Sequence, residues 1–250
     1  MLSAAAVALA MNAPAQAANA YVSLFGGASF LEKPGIAGVS HTHTTTTLFF
    51  SNRASVDTGF KTGFVVGGNW GVDWGTFRTE LELAYRSNQS GKTAHLMTAY
   101  SVNGYAFDGP TYYTRTNDAI VPASLRLSAY SLMANAWYDF HDILPYKITP
   151  YIGGGIGGAL VKISGHLSAF DGHDVLTDFK LNAKNSFVFA YQVGAGFSVP
   201  VSEDLKLFLD YRYFRADGAQ LKLSPALLVG GRVKGDFNSH SVLLGLRIDL

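Results

Sequence analysis

The sequence contains no cysteine. That absence excludes a disulfide scaffold, a thiolate zinc site and a cysteine nucleophile. Charge is scarce too: Asp, Glu, Lys and Arg make up 15% of the 250 residues, against about 25% in an average soluble chain. The charges balance, with 19 Lys and Arg against 18 Asp and Glu and a net of +1. A polybasic nucleic-acid binder and an acidic disordered tail are both excluded. Past the N-terminal segment no stretch reaches the roughly 18 apolar residues of a membrane helix, and no 3.6-residue apolar period stands out.

What the chain has in quantity is glycine (27), phenylalanine (17) and tyrosine (13), within a 48% apolar composition. Its first twenty residues, MLSAAAVALAMNAPAQAANA, read as an address. A small-residue apolar run from Ala4 to Met11 leads into Ala15-Gln16-Ala17 and then Ala18-Asn19-Ala20, two triplets of the A-x-A cleavage form. The usual Lys/Arg n-region is missing. We therefore expect a signal peptide over residues 1–20, a mature chain beginning near Ala18 or Tyr21, and one domain over 21–250. An exported, cysteine-free chain without membrane helices is either a free periplasmic or secreted protein or a membrane β-barrel.

Eight segments carry the strand signal of β-branched and aromatic residues at period two: Tyr21–Phe30, Gly59–Gly71, Phe77–Asn88, Leu125–Asp139, Ile148–Val161, Asn185–Pro200, Leu205–Arg215 and Asn238–Leu250. Short links (GVDWG, HDILPYKI, SEDL) alternate with links of about 22 to 38 residues. Loops that long are uncommon inside compact domains. Falling on every second connection, they gather at one end of an up-and-down barrel, the layout of an outer-membrane barrel.

The strand faces decide the solvent. In residues 77–86 one face is Phe77, Thr79, Leu81, Leu83 and Tyr85, and the other is Arg78, Glu80, Glu82, Ala84 and Arg86. Residues 205–214 set Leu205, Leu207, Leu209, Tyr211 and Tyr213 against Lys206, Phe208, Asp210, Arg212 and Phe214, and the last strand sets Leu244, Leu246, Ile248 and Leu250 against Gly245, Arg247 and Asp249. Three features turn the apolar face outward to lipid. The polar register carries Gly153, Gly155, Gly157, Gly194, Gly196 and Ser198, which weaken a water-facing strand but make room inside a narrow barrel. The polar face holds both signs in near balance (Arg78, Glu80, Glu82, Arg86, Lys206, Asp210, Arg212, Arg247, Asp249), as charges sealed from water require. Aromatics gather toward strand ends, with Trp70, Trp74, Phe77, Trp137, Tyr138 and Phe197 by the short turns and Tyr85, Tyr130, Tyr191 and Tyr213 by the long links, the places of two interfacial girdles. The expected fold is an all-β, eight-stranded antiparallel up-and-down transmembrane β-barrel with four long extracellular loops. Side chains fill an interior of that strand number, so the lumen is expected to be a packed polar core and any conduction incidental.

The blocks FVVGGNWGVDWGTFRTELELAYR, SLMANAWYDF with TPYIGGGIGGA, FAYQVGAGFSVPVSEDLKLFLDYRYF and HSVLLGLRIDL resemble the small eight-stranded outer-membrane β-barrel family of Gram-negative bacteria. That group includes the OmpA-like and opacity-protein-like barrels and the surface antigens of alphaproteobacteria. The resemblance spans about residues 21–250. It implies a cell outer-membrane location and a role as adhesin, surface antigen or envelope-stabilising protein. These barrels usually end in an aromatic residue that the assembly machinery reads, whereas this chain ends in Leu250, a weaker signal.

Candidate chemistry is thin. His166-Leu167-Ser168 with Asp171 has the H-x-S spacing that lipid A deacylase barrels use, and a His activating a Ser before a carboxylate is an acyl-transfer arrangement. No asparagine accompanies the Ser, and an ordinary polar loop is the preferred reading. His240, between Ser239 and Ser241, reads as a rim histidine. His41-Thr42-His43 offers two ligands where metal sites need three or four, and reads as part of a threonine-rich surface loop. Gly67-Gly68 and Gly153–Gly158 are strand glycines, since no Lys-Ser/Thr closes a phosphate loop. Glu80 and Glu82 stand about 7 Å apart on one face, but Arg78, Arg86, Arg212 and Arg247 share it, so ion pairing is preferred to catalysis.

We therefore expect no catalytic residue, cofactor or metal. The expected function is a surface-interaction or structural role through the long loops, which are rich in adaptable contact residues (Tyr100, Asn103, Tyr105, Tyr112, Tyr113, Asn117). The alternatives are a lipid A-modifying acyl hydrolase and a narrow diffusion pore. Expected partners are outer-membrane lipid and lipopolysaccharide, the barrel-assembly machinery, and host or cell-surface ligands, with no nucleic acid. The chain is expected to be a monomer.

Overall fold

Alternation of apolar with small or polar residues recurs along the strand segments, and the described residues are correspondingly all strand and turn. It is a computed structural model that describes residues 18–32, 36–44, 48–57, 59–106, 109–170, 176–182, 186–222 and 232–250. The strands are β1 (Asn19–Leu31), β2 (Ile36–Thr44), β3 (Leu48–Asp57), β4 (Gly63–Asp73), β5 (Phe77–Gln89), β6 (Thr93–Ala106), β7 (Gly109–Asp139), β8 (Thr149–Phe170), β9 (Leu176–Asn182), β10 (Ser186–Pro200), β11 (Leu205–Lys222) and β12 (Arg232–Asp249).

Eight of them close a ring in the order β1-β4-β5-β7-β8-β10-β11-β12, every pair antiparallel, with β12 returning to β1. Closure is what a lipid environment demands, because an open sheet edge leaves backbone donors and acceptors unpaired where no water can reach them. The sequence-predicted strands are these eight. The second starts later than expected, at Gly63, with Phe60 making an isolated bridge to Ser90 below it.

The direction of the faces is settled by burial. Leu81, Leu207 and Leu246 are 52%, 39% and 46% exposed on the outer wall, while Arg78 and Asp210 are 1% and 2% exposed inside. An apolar exterior around an ionised interior is stable only in lipid. Trp70, Trp74, Phe77, Tyr138 and Phe197 are exposed near the short turns. Trp137, expected in that girdle, is instead 2% exposed in the lumen. The reason is parity: Tyr138 faces out, and its neighbour in a strand must face in.

Short turns join β4 to β5, β7 to β8, and β10 to β11. In the first, Gly75 takes a φ of 91° and its amide donates to Asp73 Oδ1 at 2.8 Å. The long links carry strand as well. β2 pairs with β3, β3 with β6, and β6 with the first half of β7, from Thr93↔Pro122 to Ala106↔Gly109. β9 pairs with the end of β8, and the outer ends of β11 and β12 pair with each other. β7 is thus a single 31-residue strand, with its second half in the barrel wall and its first half in a sheet beyond the rim.

Candidate functional site

The inner faces of β1, β4, β5, β7, β8, β10, β11 and β12 converge on a network of ionised and amide groups. Seven of the nine sequence-predicted residues (Arg78, Glu80, Glu82, Arg86, Asp210, Arg212, Arg247) are buried there. Arg78 Nε donates to Asp139 Oδ2 at 2.6 Å and Arg78 Nη1 to Glu80 Oε1 at 3.2 Å. Glu80 also accepts from Tyr21 at 2.6 Å, Trp137 at 2.9 Å and Asn69 at 3.1 Å. Arg212 donates to Glu82 and, through Nε, to Asp210 at 3.0 Å. Tyr151 donates to Asp210. Glu82 further accepts from Asn135 at 2.9 Å and Gln192 at 3.1 Å, and Arg86 lies 3.8 Å from it. Arg247 sits over the Tyr21 ring, 4.7 Å from its centroid.

The remaining two predicted residues pair elsewhere. Lys206 and Asp249 form an ion pair of 2.9 Å, less buried, at the short-turn end. Among the described residues the lumen thus encloses four arginines (78, 86, 212, 247) and four carboxylates (80, 82, 139, 210). Balance of this kind matters because an uncompensated buried ion costs several kcal/mol.

Sequence reasoning missed Asp139, Tyr21, Tyr151, Asn135, Gln192 and Trp137 as members of the network. Asn135, Trp137 and Asp139 share one parity on β7, but the alternating Ala134 and Ala136 are small and mark no face. Inward glycines give the large members their space. A Cβ on Gly153 would come within 2.7 Å of Trp137 Cε3, and one on Gly196 within 2.8 Å of Tyr151 Cζ.

The lumen is not polar throughout. Toward the long-link end it is filled by Leu127, Ala129, Val161, Ile163, Phe214 and Phe237, with Phe214 and Phe237 packed edge to face at 5.9 Å and the Arg86 guanidinium 4.0 Å over the Phe214 ring. A second apolar cluster holds Phe25, Val65, Ala84, Phe208 and Leu243. The expectation of a packed polar core is corrected at these two clusters. At the long-link end the hydrophobic phase of the strands inverts. Leu132 faces out, yet six residues earlier Arg126 faces out and Leu127 in; likewise Leu160 faces out, then Lys162 out and Ile163 in. Above that level the outside of the wall is water, so apolar side chains turn inward as in a soluble protein. The inversion marks the outer surface of the membrane.

On the wet side of that boundary, over β1, β11 and β12, His240 Nε2 lies 2.9 Å from Glu32 and its Nδ1 2.6 Å from the Tyr211 hydroxyl. Asn238 donates to the same carboxylate at 3.2 Å. These hydrogen bonds, that from His240 first, hold the Glu32 carboxyl below its ordinary range. Arg215 pairs with Asp217 and, at 2.9 Å, with Asp236. His240 is therefore at the rim.

The other candidate chemistry does not assemble among the described residues. His166 is exposed on the outer face of β8. Ser168 is in β8 in register with Asp178 of β9, but its side chain and the whole of Asp171 lie outside the described residues. His41 and His43 are in β2, opposite Asn52 and Phe50 of β3, and their side chains also lie outside them. Among the described residues no group of three or more His, Asp or Glu side chains could hold a metal ion.

Comparison with known proteins places this architecture. Residues 21–234 match the model of a family described as "Surface antigen". A Rickettsia conorii protein named "Putative adhesin RC1281" is 29% identical over 146 residues, 57% of this chain and 53% of that protein. Outer membrane protein PagN of Salmonella typhimurium is 28% identical over 141 residues, 56% of this chain and 49% of that one. The chain thus spans about half the length of the curated relatives it matches. The crystal structure of Neisserial surface protein A aligns over 92% of this chain and 97% of its own, with a TM-score of 0.47 and 15% identity. The matched span takes in seven of the eight wall strands and reaches into the eighth, and the chain belongs to the surface antigen family, as an outer-membrane β-barrel of the small eight-stranded kind.

Proposed function

We propose that this chain is a non-enzymatic surface-interaction protein: a sealed barrel that anchors an extracellular sheet which contacts other cells or host molecules. The observation that carries this reading is the continuity of β7. Residues 126–139 are locked into the wall by β5 and β8, and the same strand runs on without a break to pair with β6. A stretch of about 17 residues spans roughly 50 Å in strand form, so the β2-β3-β6-β7 sheet has a rigid mount rather than a loose tether. Tyr100, Asn103, Tyr112 and Tyr113 belong to its ladders, and tyrosine with asparagine gives large contact area at low ordering cost.

The balanced lumen supports a structural role for the interior, with neither a catalytic carboxylate pair nor a transport path. The test is to replace residues 93–122 by a short turn and display the barrel on a non-adherent Gram-negative host. Retained heat-modifiable migration with loss of attachment to cultured host cells is the expected result. Undiminished attachment would overturn the reading. Unchanged lipid A by mass spectrometry on overexpression is expected as well, and deacylated lipid A that returns to normal in His166→Ala would establish the acyl-hydrolase alternative.

A further inference from the structure

The outer wall at the membrane's external surface is electrically lopsided. Over β1, β11 and β12 the cations are answered: Arg215 by Asp217 and Asp236, His240 by Glu32. Over β5, β7 and β8 no such partner stands among the described residues. Arg126, Lys162 and His166 are exposed there. Among the positions of β5, β7 and β8 whose burial is described, no outward one carries an Asp or Glu, and among the described residues neither Arg126 nor Lys162 has an ion pair.

Register fixes how the two cations stand. Ser128 is opposite Lys162 and Arg126 is opposite Ser164. Arg126 and Lys162 are therefore diagonal neighbours on one face, about 7–8 Å apart at Cα. Like charges so placed repel, and an anion between them removes the repulsion. Hydroxyls line the same spot: Ser87 and Ser128 oxygens are 3.3 Å apart, and the Tyr85 hydroxyl donates to Ser128 at 3.3 Å. Just below, the rings of Tyr85 and Tyr130 lie 4.6 Å apart, at the depth where barrel aromatics meet headgroups. Below them Leu83, Leu132 and Leu160 are exposed to the hydrocarbon.

A ligand reaching this place meets two cations at its head, over the buried Ser87 and Ser128 hydroxyls, and leucines along its tail. Arginine offers a planar fork suited to phosphate oxygens, and lysine a point charge. We propose that Arg126 and Lys162 bind the phosphate of a phosphorylated glycolipid of the outer leaflet, whose acyl chains lie over Leu132 and Leu160. This goes beyond the adhesive reading and does not depend on it. It gives the barrel a lipid-facing contact on one side of its wall, set at the level where the hydrophobic phase inverts.

The test uses the full chain folded in detergent, with labelled bisphosphorylated lipid A in mixed micelles as the probe and chemically dephosphorylated lipid A for comparison. Each interfacial cation supplies attraction enough that R126Q/K162Q should bind phosphorylated lipid A about thirtyfold more weakly. Each single variant should fall between, and R215Q on the opposite side should bind as wild type does. Binding should weaken with added salt, and dephosphorylated lipid A should bind wild type and double variant equally poorly. Heat-modifiable migration confirms that each variant is folded, and Arg126→Lys serves as a charge-preserving check that should retain binding. Equal binding by wild type and R126Q/K162Q, or by phosphorylated and dephosphorylated lipid A, would overturn the proposal. So would displacement by millimolar inorganic phosphate, which would make this a free-anion site instead.

Discussion

Arg212 reaches across the lumen to donate to Glu82, a residue 130 positions away in the chain. The bond ties β11 to β5, which are not neighbours in the ring, and the same guanidinium also holds Asp210. It is a strut between opposite walls, made of groups that are 2% and 0% exposed. Arg212→Leu leaves two buried carboxylates short of their cation, and the expected loss is about 3–5 kcal/mol, read from the urea midpoint of the barrel in detergent micelles. Adding Glu82→Gln to Arg212→Leu should recover part of that loss, since a neutral amide tolerates the missing cation. A single variant as stable as wild type would mean that water reaches Glu82.

The lumen is obstructed twice, by the ion and amide network and by the apolar cluster around Phe214 and Phe237. Planar-bilayer recording should therefore resolve no steady conductance for the wild-type barrel. Phe214→Ala with Phe237→Ala removes the aromatic stopper but not the network beneath it, so that variant should remain closed as well. A resolved channel in the wild type would show that the packed interior opens in the membrane.

Glycines on the two faces of the wall should respond differently to substitution. A Cβ on inward Gly194 would stand 2.7 Å from the Tyr211 carbonyl oxygen, 3.0 Å from Arg212 Cγ and 3.3 Å from Trp137 Cη2, the last two on side chains that are themselves held by Glu82 and Glu80. Gly194→Val should cost about 1–3 kcal/mol by overpacking and slow the appearance of the heat-modifiable form. On outward Gly158 a Cβ would meet the ring of Phe187, which is exposed to lipid and free to turn aside. Gly158→Ala should assemble at the wild-type rate. Equal defects would show that the interior does not depend on these gaps.

This contrast also shows what could be read in advance. The eight wall strands and the inward set of charges follow from period two wherever the outward residues are bulky, as in Leu81-Glu82-Leu83. On β7 the outward residues Ala134 and Ala136 are small and mark no face. The parity of Trp137 and Asp139 was consequently not legible, and both were missed as lumen groups. Beyond the membrane surface the pattern that identifies a barrel strand ceases to apply. With water outside, Leu127 and Ile163 turn in while Arg126 and Lys162 turn out, and the segments around β6 and the start of β7 read as polar loops. Pairings such as Tyr21 with Glu80, 59 positions apart, depend on closure of the whole ring, which no local pattern encodes.

The rim should respond to acid. Glu32 is held below its ordinary value near 4.5 by hydrogen bonds from His240 and Asn238. A carboxylate whose folded value is depressed stabilises the folded arrangement above its unfolded value, and that contribution disappears as the pH falls through the folded one. As the pH falls below about 4.5, the contact joining the end of β1 to β12, including the Glu32 amide to the Asn238 carbonyl at 3.0 Å, should lose hydrogen-exchange protection. Glu32→Gln should flatten that dependence while leaving the lumen amides unchanged. Loss of protection at the same pH in Glu32→Gln would assign the effect to another group.

The start of β1 bears on where the export signal expected in residues 1–20 would be cut. Two small-residue triplets, ending at Ala17 and Ala20, fit the cleavage pattern equally well. β1 distinguishes them, because Asn19 pairs with Asp73 and Ala20 with Val72, and the Leu250 amide donates to the Ala20 carbonyl at 2.8 Å. A cut after Ala20 would strip two residues from the seam with β4 and leave the Leu250 amide without its partner at the end of the barrel. A cut after Ala17 keeps both. N-terminal sequencing or intact mass of the chain recovered from outer membranes should therefore give Ala18 as the first residue, and Ala17→Leu should shift or block processing whereas Ala20→Leu should not. A mature chain beginning at Tyr21 would mean that the Asn19 and Ala20 pairings are dispensable for closing the ring.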